Sequence, residues 1–198
     1  MTKNNFIGKC ITEMIKDGTT VRFNKRIYDS KHSYSYYLES PKEFVISYFN
    51  GEKEDDWFWD FIHEYSHYIQ FKYEERKWKK YDKYCVAFSS FIEGERKTIS
   101  PEIIRKVQEV EADGNAKAYE LMRKHKIKIN VDRYIQNNNL YIVCHAFMAK
   151  YKHFFFPNSI KALKLIPTYP LSMKEIEELA NNKELEAIYK ERLDIYIK

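Results

Sequence analysis

His63, Glu64 and His67 stand in the order H-E-x-x-H, within His63-Glu64-Tyr65-Ser66-His67. On a helix, residues four apart lie one above the other on a single face. Two imidazoles placed so can both reach one zinc ion, at about 2.0–2.1 Å per Zn–N bond. A glutamate beside the first histidine is then placed to act as general base on a metal-activated water. The chemistry this pattern predicts is metal-assisted hydrolysis.

The segment from Asp56 to about Lys80, DWFWDFIHEYSHYIQFKYEERKWKK, is predicted to be one long helix. Phe58, Ile62, Tyr65 and Ile69 follow the spacing of a buried face. His63 and His67 lie one residue, about 100°, off that stripe, at the border between core and solvent. The start is acidic and the end basic, which complements the helix dipole.

A catalytic zinc takes three protein ligands and leaves the fourth position to water. The longer pattern H-E-x-x-H-x-x-G-x-x-H is absent, because Gln70 and Tyr73 occupy its last two fixed positions. No histidine follows before His125, so a carboxylate is the natural third ligand. Ser100-Pro101-Glu102 is predicted to open a second helix, with serine as N-cap and proline at the first helical position. That helix carries Glu109-Val110-Glu111-Ala112-Asp113. Glu109 and Asp113 share a face at i, i+4. Glu109 is therefore the expected ligand, and Asp113 the expected acceptor for the outer N–H of a ligand histidine. Glu111 is the rival ligand if the helix is rotated.

H-E-x-x-H followed by E-x-x-x-D on a later helix resembles the gluzincin pattern of zinc metallopeptidases. Glu109 to Asp113 with Ala116 is similar to the E-x-x-A-D-x-x-A signature of the CAAX-protease and HtpX-like branch, and of its small soluble relatives, the minigluzincins. It is also similar to a segment of the ImmA/IrrE peptidases. Asn115 departs from the aromatic residue common in that last group. The resemblance covers residues 56–80 and 101–123. It implies a zincin-like domain with His63, His67 and Glu109 on Zn2+, Glu64 as base and Asp113 behind the ligands. It also implies a peptide or protein substrate held along a sheet edge that precedes the metal helix.

Composition sets the frame. With 44% hydrophobic and 32% charged residues, the 198-residue chain is expected to fold as one globular domain over residues 1–198. A net charge of +5 with both signs interspersed gives no clear nucleic-acid signal. The basic run Lys72–Lys83 also holds Glu74, Glu75 and Asp82, and is read as a solvated helix end. Cys10, Cys85 and Cys144 are odd in number and far apart, which points to free thiols and a cytoplasmic setting. The N-terminus lacks the apolar core of a signal peptide. The most apolar stretch, Leu140–Phe156, contains Lys150 and Lys152 and is too short to span a bilayer, which needs about 20 apolar residues.

The predicted architecture is α+β: a mainly helical domain with a small N-terminal sheet before the zinc helix. Asn5–Lys16 is read as a helix ended by Gly18, and Thr19–Tyr28, Ser33–Glu39 and Glu43–Phe49 as strands. Glu43–Phe49 is the expected sheet edge and Asn50-Gly51 the turn into the zinc helix. Tyr81–Glu93 fits helix or loop. Leu140–Phe156 and Ser159–Leu165 are expected helices, and a capping box at Ser172–Glu175 opens a last one. His145, Tyr141 and Tyr119 are the candidate donors to the oxyanion of a peptide-hydrolysis transition state.

Overall fold

The computed structural model describes residues 1–26, 35–39, 41–49, 54–153, 155–157 and 159–197. Helix α1 (Lys3–Lys16) begins where the Thr2 hydroxyl accepts the Asn5 N–H at 3.3 Å. It buries Phe6, Ile7, Cys10 and Met14, a stripe with helical spacing. It ends at Gly18, whose φ of +79° lets Thr19 N–H turn back to Met14 O at 2.9 Å. A side chain at that φ would be strained, so glycine fits the stop.

Three strands follow: β1 (Thr20–Arg26), β2 (Tyr36–Glu39) and β3 (Lys42–Phe49). Their order is β1-β3-β2, with β1 parallel and β2 antiparallel to β3. Phe23 pairs with Ile46, and Tyr37 with Phe44. Strand β3 is therefore the centre of the sheet, not the expected edge. The reason lies in its composition: Phe44, Val45, Ile46 and Ser47 are all buried, at 0–1% exposure. Such a run has no alternating polar face and belongs inside a sheet. Among the described residues, the edges are β1 and β2. The expected turn at Asn50-Gly51 and the ends of the first two predicted strands lie outside the described residues.

Helix α2 (Glu54–Ile92) takes in the 81–93 stretch up to Ile92. Glu74, with φ −131° and ψ 35°, breaks its regularity. Helix α3 (Pro101–His125) starts as predicted, with the Ser100 hydroxyl accepting the Ile103 N–H at 3.3 Å. Helix α4 (Val131–Tyr151) starts nine residues before the expected Leu140. Three helices complete the chain: α5 (Ile160–Leu163), α6 (Met173–Ala180) and α7 (Lys183–Ile197). The Ser172–Glu175 capping box is present. The single last helix of the sequence reading is two, because Asn182 caps α7 by accepting the Leu185 N–H at 3.0 Å. The fold class is α+β, mainly helical with a small N-terminal sheet. No described helix is long and apolar enough to cross a membrane.

The described chain forms two compact units. The first comprises Met1–Glu75 and Lys117–Asn130. Its core is aromatic: Phe58, Phe61, Ile62, Tyr65 and Tyr68 of α2 are at most 4% exposed. Phe61 meets Phe44 of the sheet edge-on at 5.3 Å between ring centroids, and Phe6 of α1 meets Tyr65 at 6.3 Å. The second unit comprises Arg76–Ala116 and Val131–Lys198. Leu140, Val143, Cys144, Phe147 and Met148 of α4 pack there with Leu163, Ile176, Leu185 and Tyr189.

Candidate metal centre

In the first unit, the apolar stripe of α2 turns its face to the core and so fixes the helix about its axis. That rotation leaves His63 half-buried and brings His67 to 8% exposure. The two rings stand nearly perpendicular, 4.8 Å apart at their centroids. Their Nε2 atoms are 3.3 Å apart. Two ligands on a tetrahedral zinc, each at about 2.0–2.1 Å, are separated by about 3.3–3.4 Å. The Nε2–Nε2 separation matches that spacing. The Nδ1 of His67 lies 2.7 Å from Gln70 Oε1. The amide oxygen can only accept, so this contact is a hydrogen bond in the His67 tautomer that carries its hydrogen on Nδ1 and leaves Nε2 as a lone pair.

The stretch around the histidines is fastened to α1 by a polar cluster. The Tyr65 phenol donates to Glu13 Oε2 at 2.8 Å. Lys72 Nζ stands 2.8 Å from Glu13 Oε1 and 2.7 Å from Asp17 Oδ2. Tyr68 donates to Asp17, closing the cluster. Burial works to raise the Glu13 carboxyl, but the hydrogen bonds from Lys72 and Tyr65 outweigh it and hold its pKa below the usual range. Burial likewise works against the Lys72 ammonium, and Asp17 and Glu13 overcome it and raise its pKa. Glu64 lies one residue from His63 and is half-buried.

In the second unit, α3 presents Glu111 on a different side from Glu109 and Asp113. Gln108 and Asn115 are buried amides on this helix, at 5% and 1% exposure. Gln108 Nε2 donates to Ile142 O at 3.0 Å, and Asn115 Nδ2 donates to Asn139 Oδ1 at 2.9 Å. These two bonds, one heptad apart, set the rotation of α3. Glu111 falls on their side of the helix, on the stripe of Ile104, Val107, Gln108 and Asn115. Glu109 is turned away from it by about 160°, measured the shorter way round.

Glu109 faces cations and a phenol. Its carboxylate receives Tyr81 OH at 2.8 Å and Lys106 Nζ at 2.7 Å, with Arg105 Nε at 3.6 Å. Burial works to raise its pKa, and the bonds from Lys106 and Tyr81 outweigh it and hold it low. Asp113 accepts from Lys77 Nζ at 3.1 Å. Sequence reasoning chose these two by their mutual spacing and kept Glu111, which sits on the buried stripe of the same helix, as the rival. The 104-107-108-111-115 periodicity was the available signal. Sequence reasoning passed over Gln70, treating it only as the absence of a glycine.

The suggested oxyanion donors have these surroundings. His145 is buried at 1% exposure, with its ring 4.6 Å from Tyr141 and 5.1 Å from Phe88. The Arg123 guanidinium lies over the Tyr119 ring at 5.6 Å. In comparisons with family models, curated proteins and solved structures, the chain matches none.

Proposed function

We propose that this chain is a zinc-dependent peptidase, with His63, His67 and Glu111 as metal ligands and Glu64 as general base. The observation that carries the reading is the 3.3 Å convergence of the His63 and His67 Nε2 atoms on either side of a glutamate-bearing turn. His63 and His67 supply two donors, and Glu111 is the rival carboxylate that the sequence offers for the third. Two neutral imidazoles and one carboxylate are a donor set of catalytic zinc, one that leaves a position open to water. Glu109 was the expected third ligand, but its carboxylate is committed to Lys106, Tyr81 and Arg105. Releasing it would cost Lys106 and Tyr81 their hydrogen bonds to it.

Zinc, when bound, supplies Lewis acidity, lowering the pKa of water toward about 7 and polarising a carbonyl. The protein supplies the rest. Glu64 sits about 100° round the helix from His63, off the ligand face, which suits a base and not a ligand. It takes a proton during attack on the scissile carbonyl and returns it to the leaving amine. The proposed substrate is a peptide or protein segment, in line with the gluzincin-like pattern. The free cysteines Cys10, Cys85 and Cys144 fit a reducing compartment, and we place the reaction in the cytoplasm.

Metal analysis by mass spectrometry on the purified chain, joined to a peptide-library digest, tests the proposal. One zinc per chain and cleavage lost on chelation are the expected results. A chain purified in zinc-containing medium that carries no metal overturns it. A metallated chain that cuts no peptide, and no candidate protein, overturns the peptidase assignment and leaves a zinc-bearing binding module.

A further inference from the structure

Gln70 lies three residues after His67 on α2. Helical side chains lean toward the N-terminus, over the residues three and four before them. The Gln70 amide therefore reaches back over the His67 ring. It is 4% exposed, and its Oε1 stands 2.7 Å from His67 Nδ1. A neutral imidazole carries one hydrogen, on one nitrogen or the other. The alternative form, with the hydrogen on Nε2, would aim that hydrogen at His63 Nε2, 3.3 Å away. It would also remove the lone pair that a metal needs.

We infer that Gln70 is a positioning residue that locks His67 in the Nδ1–H tautomer, so that Nε2 is ready for a metal before any metal arrives. The inference rests on the metal reading above and adds the device that prepares the site. A glutamine suits this place better than a carboxylate on grounds of charge. His67 and Gln70 are both more than nine-tenths buried. A carboxylate there would be a further anion withdrawn from water, at considerable desolvation cost. The amide oxygen orients and polarises the ring without that charge. Partners of this kind change metal affinity by about 10–100-fold when removed.

The lock has a signature in the metal-free protein that packing alone does not produce. Long-range 1H–15N NMR of the full chain, labelled with 15N-histidine, reads which nitrogen of each ring bears hydrogen, and a His67→Asn spectrum assigns the signals. In the wild type His67 is expected as Nδ1–H. In Gln70→Met, which keeps the volume and removes the acceptor, the ring is expected to populate both tautomers. Chelator competition is expected to show zinc bound about 10–100-fold more weakly in Gln70→Met. Gln70→Glu restores an acceptor and is expected to keep the tautomer and to bind zinc at least as tightly as wild type. Its behaviour separates a lost acceptor from a disturbed fold. Wild-type His67 protonated on Nε2, or a Gln70→Met protein with unchanged tautomer and unchanged zinc affinity, overturns the inference. A wild type with the expected tautomer that takes up no zinc overturns the metal reading instead, and leaves the hold of Gln70 on the ring standing.

Discussion

Tyr65, midway between His63 and His67, donates its phenol hydrogen to Glu13 of α1 at 2.8 Å. Lys72, five residues past His67, holds the other Glu13 oxygen at 2.8 Å. The helix that carries the candidate ligands is thus gripped on its core side by one carboxylate. This grip leads to a pH-dependent stability. Glu13 has a folded pKa below its unfolded value of about 4.3, so its contribution is complete above that value and is lost as pH falls through the lower folded pKa. Lys72 has a raised folded pKa, so its share is complete below about 10.4 and is lost as pH rises through the raised value. Glu13→Gln is expected to destabilise the fold by about 1–2 kcal/mol at pH 7, the lower part of the range for charged hydrogen bonds because the pair is partly exposed. Urea unfolding measures it. The gap between variant and wild type should close at a pH low enough to protonate Glu13 in the folded state; a gap unchanged at that pH would show the charge to be irrelevant.

The rotation of α3 predicts an order of effects among its carboxylates. Glu111→Gln is expected to weaken zinc binding by at least about tenfold in a chelator competition, since it removes an anionic ligand. Glu109→Gln is expected to leave zinc affinity nearly unchanged and to lower stability by about 1–2 kcal/mol, because Lys106 and Tyr81 exchange a charged acceptor for a neutral one. The reverse ranking would return the ligand role to Glu109.

These effects show where sequence reasoning reaches and where it stops. Helix α2 was legible because Phe58, Ile62 and Tyr65 announce its buried face, and the placement of the histidines follows from that face. The α3 start was legible because Ser100 and Pro101 are local signals whose physics does not depend on the rest of the chain. The choice between Glu109 and Glu111 was not local. It depends on Lys106 and Tyr81 claiming one carboxylate, and on Ile142 O and Asn139 accepting the α3 amides. The edge assignment of β3 failed for a similar reason, since strand order is a property of pairing and not of one strand's residues. The start of α4 was hidden by Gln136-Asn137-Asn138-Asn139, whose residue types ordinarily favour turns. In the fold Asn139 points into the core and finds its partners there.

Asn139 is fully buried, and its amide nitrogen donates to Pro167 O at 3.0 Å and Tyr169 O at 2.8 Å. Its oxygen accepts from Asn115. Asn139→Ala orphans two carbonyls and one amide inside the unit. The expected loss is about 2–4 kcal/mol, the cost of buried polar groups left unpaired. In a double-mutant cycle, Asn115→Ala and Asn139→Ala should be coupled by about 0.5–3 kcal/mol. Additive losses in thermal or urea unfolding would show that the two amides do not act as one clamp on α3.

Glu64→Gln separates holding a metal from using it. The substitution keeps the shape and the hydrogen-bonding capacity of the side chain but removes its ability to take a proton at neutral pH. Glu64 stands off the face that aims the His63 and His67 Nε2 atoms at one point, so the ligands are untouched. Zinc content and unfolding midpoint are therefore expected to match the wild type. Peptide cleavage is expected to fall by about 10²–10⁴-fold, the contribution of a positioned general base. Loss of zinc from the variant would make Glu64 a ligand and change the donor set. Cleavage at the wild-type rate by a fully metallated Glu64→Gln protein would show that another group moves the proton, and Glu64 would lose its assigned role.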